Sequence, residues 1–258
     1  MRLKNFLINI SGGILLLYGL LIISSFYFFD TSIFKSTAFN TRVVSAVWIS
    51  ISAASLSTIL SIIIAIPSAY ALSRYSFYLK PVVDVFLELP MIISPAALGA
   101  LILIFFQTPV GNFIKNNIID VVYTFWGIVL AQFVTILGIS TRMMKTVFDE
   151  IPVRYENIAR TLGATPTQTF FKVSLPLAKK GILSAIILTW AKAIGEFGAT
   201  ITVAGSIASK TETLPTAIFI HLSMADIKGT VALILILFSI SMLLLLLTRR
   251  ILVHQEYD

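Results

Sequence analysis

The chain has 258 residues, 57% of them hydrophobic and only 12% charged, and its 19 Lys and Arg against 12 Asp and Glu leave a net charge of +7. A soluble domain carries about a quarter charged residues, so this chain lacks the polar groups to cover a water-facing surface, and the composition argues for a membrane protein. The basic excess does not point to nucleic acid, because basic patches interleaved with aromatics are missing. With no cysteine, disulfides, thiolate metal sites and cysteine nucleophiles are excluded. The two histidines, His221 and His254, are far apart in sequence, which argues against a histidine metal centre.

A membrane-crossing helix needs about 20 mostly apolar residues, because the hydrocarbon core is ~30 Å thick and each residue rises ~1.5 Å. Six stretches meet or approach that length. The first, about 7–29, follows Arg2 and Lys4 as a signal peptide would. Its uncharged run is too long for one, no small-residue cleavage site is evident, and it is expected to be retained. The second, about 43–72, contains Pro67 as a kink site. The third, about 85–106, contains Pro90 and Pro95. The fourth lies near 121–141, the fifth near 181–204 and the sixth near 230–247. The expected fold is therefore all-α: a single polytopic membrane domain over 1–258 with six transmembrane helices.

Orientation follows from the cations in the connections. With the N-terminus inside, the inner segments hold 13 of them: Arg2, Lys4, Arg74, Lys80, Arg142, Lys145, Arg154, Arg160, Lys172, Lys179, Lys180, Arg249 and Arg250. The outer segments hold 5, namely Lys35, Arg42, Lys115, Lys210 and Lys228, and Lys192 falls inside the fifth span. Both termini are expected in the cytoplasm of a cell membrane.

The connection 142–180 is the longest on that side. Within it, Tyr155, Ile158 and Leu162 fall on one helical face after Pro152, and Gly163 stands where a helix end wants a left-handed residue. Thr165, Pro166 and Gln168 then form a capping-box signature for a second short helix, expected to end before Leu175 and Pro176. Two short helices joined by a glycine turn suit docking into a partner's groove or resting on lipid headgroups. The run IPVRYENIARTLGATPTQTFFKVSLPL, 151–177, resembles the EAA motif of ABC importer permeases. Glu156, Ala159 and Gly163 hold the motif register, with Leu175 and Pro176 at its end; the first motif alanine is replaced by Asn157 or Ile158. In that family the loop is a coupling helix that inserts into an ATP-binding subunit. The resemblance therefore implies coupling roles for Tyr155, Glu156, Ile158, Ala159, Arg160, Leu162, Gly163, Ala164 and Pro166.

The likeness extends into the fifth span. Lys192, Gly195, Glu196, Phe197, Gly198 and Thr200, followed by the run 211–215 (TETLP), resemble the molybdate and tungstate branch of these permeases; sulfate permeases share a related segment. Lys192 and Glu196 are costly inside a membrane unless paired or facing water, and their i, i+4 spacing permits an ion pair. Two readings stand: the pair or Lys192 alone serves the anion path or a gate, or it fixes helix packing and never meets substrate. Gly195, Gly198 and Gly205 suggest close helix contact, a partly unwound outer end, or both. Leu214, Ile218 and Leu222 repeat at i, i+4 and i+8, which predicts a short surface or re-entrant helix beside His221, itself expected as a solvated loop residue.

No P-loop is present. The run 205–211 lacks the second glycine and places Lys210 one position early, so ATP and Mg would bind to a separate ATPase subunit. No metal site, HExxH or Ser/His pairing at membrane depth is seen. The resemblance implies a homodimeric permease with two ATPase copies and an extracytoplasmic oxyanion-binding protein as partners, surrounded by lipid and importing tungstate or molybdate. A sulfate or thiosulfate permease is the nearest alternative; a secondary transporter or channel is the alternative from another class.

Overall fold

The protein is described here by a computed structural model covering residues 2–254, with side chains described for Phe6 and for 8–246. The side chains of Arg2, Lys4, Arg249, Arg250 and His254 lie outside the described residues. Every element among them is a helix. Helix α1 (Arg2–Ser25) continues into a 3-10 turn, Phe26–Phe28, and none of its apolar window is buried within the chain. Helix α2 (Thr31–Ala38) begins where the Asp30 carboxylate accepts from the Ser32 and Ile33 amides, an N-cap that satisfies two of the helix's free donors.

Helix α3 (Thr41–Arg74) is the longest and contains Pro67. Most of its buried residues are Ala or Ser: Ala46, Ser50, Ala53, Ala54, Ser57, Ser61, Ala65 and Ala69. Small side chains let two helix backbones approach closely. The neighbour that uses this stripe is the helix Phe125–Asp149, and hydroxyls join the two helices at Ser57–Gln132, 3.0 Å, and Ser61–Ser140, 2.6 Å.

The expected third span is instead two helices, α4 (Lys80–Ile92) and α5 (Pro95–Gln107), bent by 113° at the join. The cause is local. Proline drives the preceding residue to extended backbone, and Ser94 takes ψ 143° and caps α5 through its side chain. Helix α6 (Pro109–Asn117) follows directly. Helix α7 (Phe125–Asp149) starts later than expected and runs past Thr141, so Arg142 and Lys145 are helical residues rather than loop cations. Arg142 pairs with Glu88 of α4, and Lys145 with Asp149 one turn on, at 2.9 Å.

After α8 (Arg154–Thr161) and α9 (Pro166–Thr169) comes a π-helical turn, Phe170–Ser174, which leads straight into α10 (Leu175–Ile194). The second short helix therefore does not end before Leu175. Pro176 follows directly on the π turn, where the Leu175 amide already donates to the Phe170 carbonyl five residues back, and the chain stays helical. Helix α11 (Gly198–Ala204) is bent by 55° from the helix before it. Helices α12 (Leu214–Ser223) and α13 (Ile227–His254) are the last of the described elements. Among the described residues four helices are long and apolar enough to cross a membrane, and six crossings result when each bent pair counts as one.

Candidate functional site

At the Arg74 end of α3, helix α8 inverts the usual amphipathic logic. Its one acidic residue, Glu156, points in, while its larger apolar residues point out beside the exposed Arg154 and Arg160. Val153, Tyr155, Ile158 and Leu162 are 50, 41, 56 and 83% exposed, while Glu156 is buried. The Glu156 carboxylate accepts from Arg74 Nε at 2.7 Å, from Ser174 Oγ at 2.9 Å and from the Tyr70 hydroxyl at 3.1 Å. Arg74 also donates to the Ile151 carbonyl at 2.9 Å and to Ser73 Oγ at 2.9 Å, and Ser73 donates to Asp149 at 2.5 Å. Burial pushes the Glu156 carboxyl up, but the Arg74 and Ser174 hydrogen bonds, the Arg74 charge and the Tyr70 hydroxyl outweigh it and hold the group below the usual glutamate range. Beneath lies an aromatic cluster, with Tyr70 5.4 Å from Phe148 and 4.7 Å from Phe170 between ring centres.

Gly163 closes the turn after α8 with φ +91°, a backbone region that side chains avoid. Thr165 and Gln168 form the expected capping box. Ala159 and Ala164 are half-buried, whereas Arg160, Gly163 and Pro166 are exposed. Ala159, Leu162, Gly163 and Ala164 line a shallow depression together with Gln168, Lys172 and Val173. Of the nine candidates of this segment, Ala159, Leu162, Gly163 and Ala164 share this depression, Tyr155, Ile158, Arg160 and Pro166 are exposed beside it, and Glu156 is turned inward.

The second candidate group lies where α10 gives way to α11. The helix ends at Ile194, and Gly195, Glu196 and Phe197 form the break. Glu196 is buried and accepts from the Ala199 amide at 3.2 Å, so it satisfies a free donor in the first turn of α11. Its other oxygen lies 3.6 Å from Lys192 Nζ. Lys192 and Gly195 are exposed within the single chain. Gly198 meets α5 backbone to backbone: a methyl group there would stand 3.0 Å from the Ala96 nitrogen. Thr200 is fully buried, and its hydroxyl has no hydrogen-bond partner among the described residues. Close contact and an unwound join therefore occur together.

At the opposite end of α3, Arg42 forks onto Glu212, and the Leu214 amide donates to Ser50 at 2.8 Å. Leu214 and Ala217 of α12 are buried, while Leu222 is exposed. His221 is helical rather than a loop residue, and its Nδ1 lies 2.8 Å from Asp226. The Gly229 amide first, and His221 second, hold the Asp226 carboxyl below its usual range. Sequence reasoning missed Tyr70, Arg74 and Ser174 around Glu156 and the Arg42–Glu212 pair. The available signal was charge economy: with so few charged residues, arginines at helix ends need partners, and buried carboxylates need them more.

Residues 57–254 match the family described as "Binding-protein-dependent transport system inner membrane component". A protein of Haloferax volcanii named "Probable molybdenum ABC transporter permease protein" is 36% identical over 239 residues, which cover 91% of this chain and 86% of that protein. The sulfate transport system permease protein CysT of Salmonella typhimurium is 33% identical over 208 residues, covering 80% and 75%. Among solved structures, a chain of the bacterial alginate ABC transporter superposes with a TM-score of 0.75 at 18% identity, covering 96% of this chain and 93% of that one.

Proposed function

Because the chain belongs to the family of binding-protein-dependent transport system inner membrane components, we propose that this permease subunit imports an oxyanion, tungstate or molybdate, across a cell membrane. The family removes the secondary-transporter and channel readings. The observation that carries the proposal is helix α8: a short helix pinned from within by Glu156, with Val153, Tyr155, Ile158 and Leu162 left outward. Exposed apolar side chains on a rigid support make a plug for a partner's cleft. A cytoplasmic ATPase, two copies per permease dimer, would receive it, and ATP and Mg would be bound there. An oxyanion-binding protein would deliver substrate at the other end of α3, with both termini of the permease in the cytoplasm.

The same reading accounts for Lys192. Its side chain is 47% exposed within the single chain, and a cation facing lipid in mid-membrane costs about 3 kcal/mol or more, so on this reading it faces a water-filled path or a second copy. Two fifth spans flanking a central path satisfy both. Relatives named for molybdenum and for sulfate both support an oxyanion, and the run TETLPTA, 211–217, favours tungstate or molybdate over sulfate. Uptake of labelled tungstate by cells with and without this gene, with excess molybdate or sulfate as competitor, tests it. Gene-dependent uptake blocked by molybdate and not by sulfate is expected. Uptake unchanged by deletion, or abolished by sulfate, defeats the substrate assignment.

A further inference from the structure

The longest helix of the chain meets a buried glutamate at each end. At one end Arg74 holds Glu156 across 82 positions of sequence, and at the other Arg42 holds Glu212 across 170. Arg42 forks, with Nε and Nη2 each 2.6 Å from one carboxylate oxygen, and the Glu212 side chain is 1% exposed. The two arginines stand about 48 Å apart along the α3 axis at ~1.5 Å per residue.

Each pair fastens a different element to α3. Glu156 belongs to α8. Glu212 immediately precedes α12, which is also seated by the Ser50–Leu214 bond and by packing among Val43, Leu214, Ala217 and Leu233. Helix α12 carries Phe219, whose ring lies 4.9 Å from that of Phe197, inside the break of the fifth span. One rod thus links the outward apolar helix at its Arg74 end to the element resting on the Lys192–Phe197 break at its Arg42 end.

We infer that Arg42 and Glu212 are positioning residues for transport: they fix α12 on α3, so that a displacement of α8 is carried along α3 to the fifth-span break. The inference rests on the importer reading above. Apolar packing alone would let α12 slide on α3, whereas a bidentate guanidinium–carboxylate pair fixes both distance and angle. The buried carboxylate also cannot part from its cation without being left charged and unpaired, so the joint moves as a unit.

The test uses the purified complex with its ATPase and binding protein in lipid vesicles, scoring oxyanion uptake per ATP hydrolysed. Arg42→Lys keeps the charge and loses the fork; Glu212→Gln keeps the shape and loses the charge; Arg42→Glu with Glu212→Arg restores the pair reversed. Both single variants are expected to hydrolyse ATP but to lose roughly tenfold in uptake per ATP, with partial recovery in the reversed pair. A wild-type ratio in the assembled single variants overturns the inference, as does a proportional fall of uptake and hydrolysis together. If Glu212→Gln fails to assemble, Arg42→Lys decides alone. Absence of ATP-driven uptake by the wild-type complex instead defeats the importer reading, and the inference falls with it.

Discussion

Lys192, in the last turn of α10, meets Glu196, in the break that follows it: Nζ and Oε2 are 3.6 Å apart, with the lysine 47% exposed and the glutamate 2%. The two side chains therefore do different work. Glu196 is held from the other side by the Ala199 amide and belongs to the packing, while Lys192 is loosely paired and open.

Glu196→Ala should accordingly lower yield and assembly more than it changes anion selectivity, because it strips the buried acceptor from the first turn of α11. Lys192→Gln should assemble normally and slow uptake. Size-exclusion yield and labelled-oxyanion uptake separate the two; an assembled Glu196→Ala complex with altered selectivity would reverse the assignment.

Removing the buried anchor of α8 should be more damaging still. Glu156→Ala leaves Arg74 buried without its carboxylate and should cost about 3–5 kcal/mol, read as a lower unfolding temperature. The folded-state carboxyl titrates below its ordinary range, so its stabilisation is present above the ordinary glutamate range and is lost as pH falls through the lowered value. Wild type should thus lose unfolding temperature on acidification more steeply than Glu156→Gln does.

The turn at Gly163 predicts an effect of backbone alone. A methyl group there would meet nothing within 4 Å, yet φ is +91°. Gly163→Val should strain the turn by about 1–3 kcal/mol and uncouple transport, with Gly163→Asn milder because asparagine tolerates left-handed backbone. Anion-stimulated ATPase activity is the readout, and a normal value in Gly163→Val would remove the turn from the coupling role.

Ile158→Asp and Leu162→Asp place charge on side chains that touch little within the chain. Each should leave the unfolding temperature of the permease nearly unchanged and weaken ATPase capture by about 2 kcal/mol or more. Co-purification with the ATPase measures this, and full retention would mean that the partner docks elsewhere.

Much of this was legible from the residues. Hydropathy located the membrane-crossing segments, and Thr165, Gln168 and Gly163 foretold the local geometry of the 151–174 segment. Illegible were relations between distant positions. Arg74 counts in sequence only as a topological cation, and nothing local says that it reaches Glu156 or that Arg42 reaches Glu212. The bends were half legible. Pro95 was visible as a perturbation of the third span, but only Ser94 adopting the cap turns a kink into a 113° corner. Pro176 misled in the other direction: it reads as a stop, yet the π turn before it carries the helix through.

The π turn at Phe170–Ser174 takes up one residue more than an α-turn without breaking the helix. Deleting one residue there would let the segment close to ordinary α geometry. Because the wide turn spends its extra residue on nearly the same rotation, α10 would keep its phase, and Lys192 would stay on its present side of the bundle. What the deletion would remove is the slack in the hydrogen-bond ladder between α9 and α10, a joint that can give locally while both helices keep their directions.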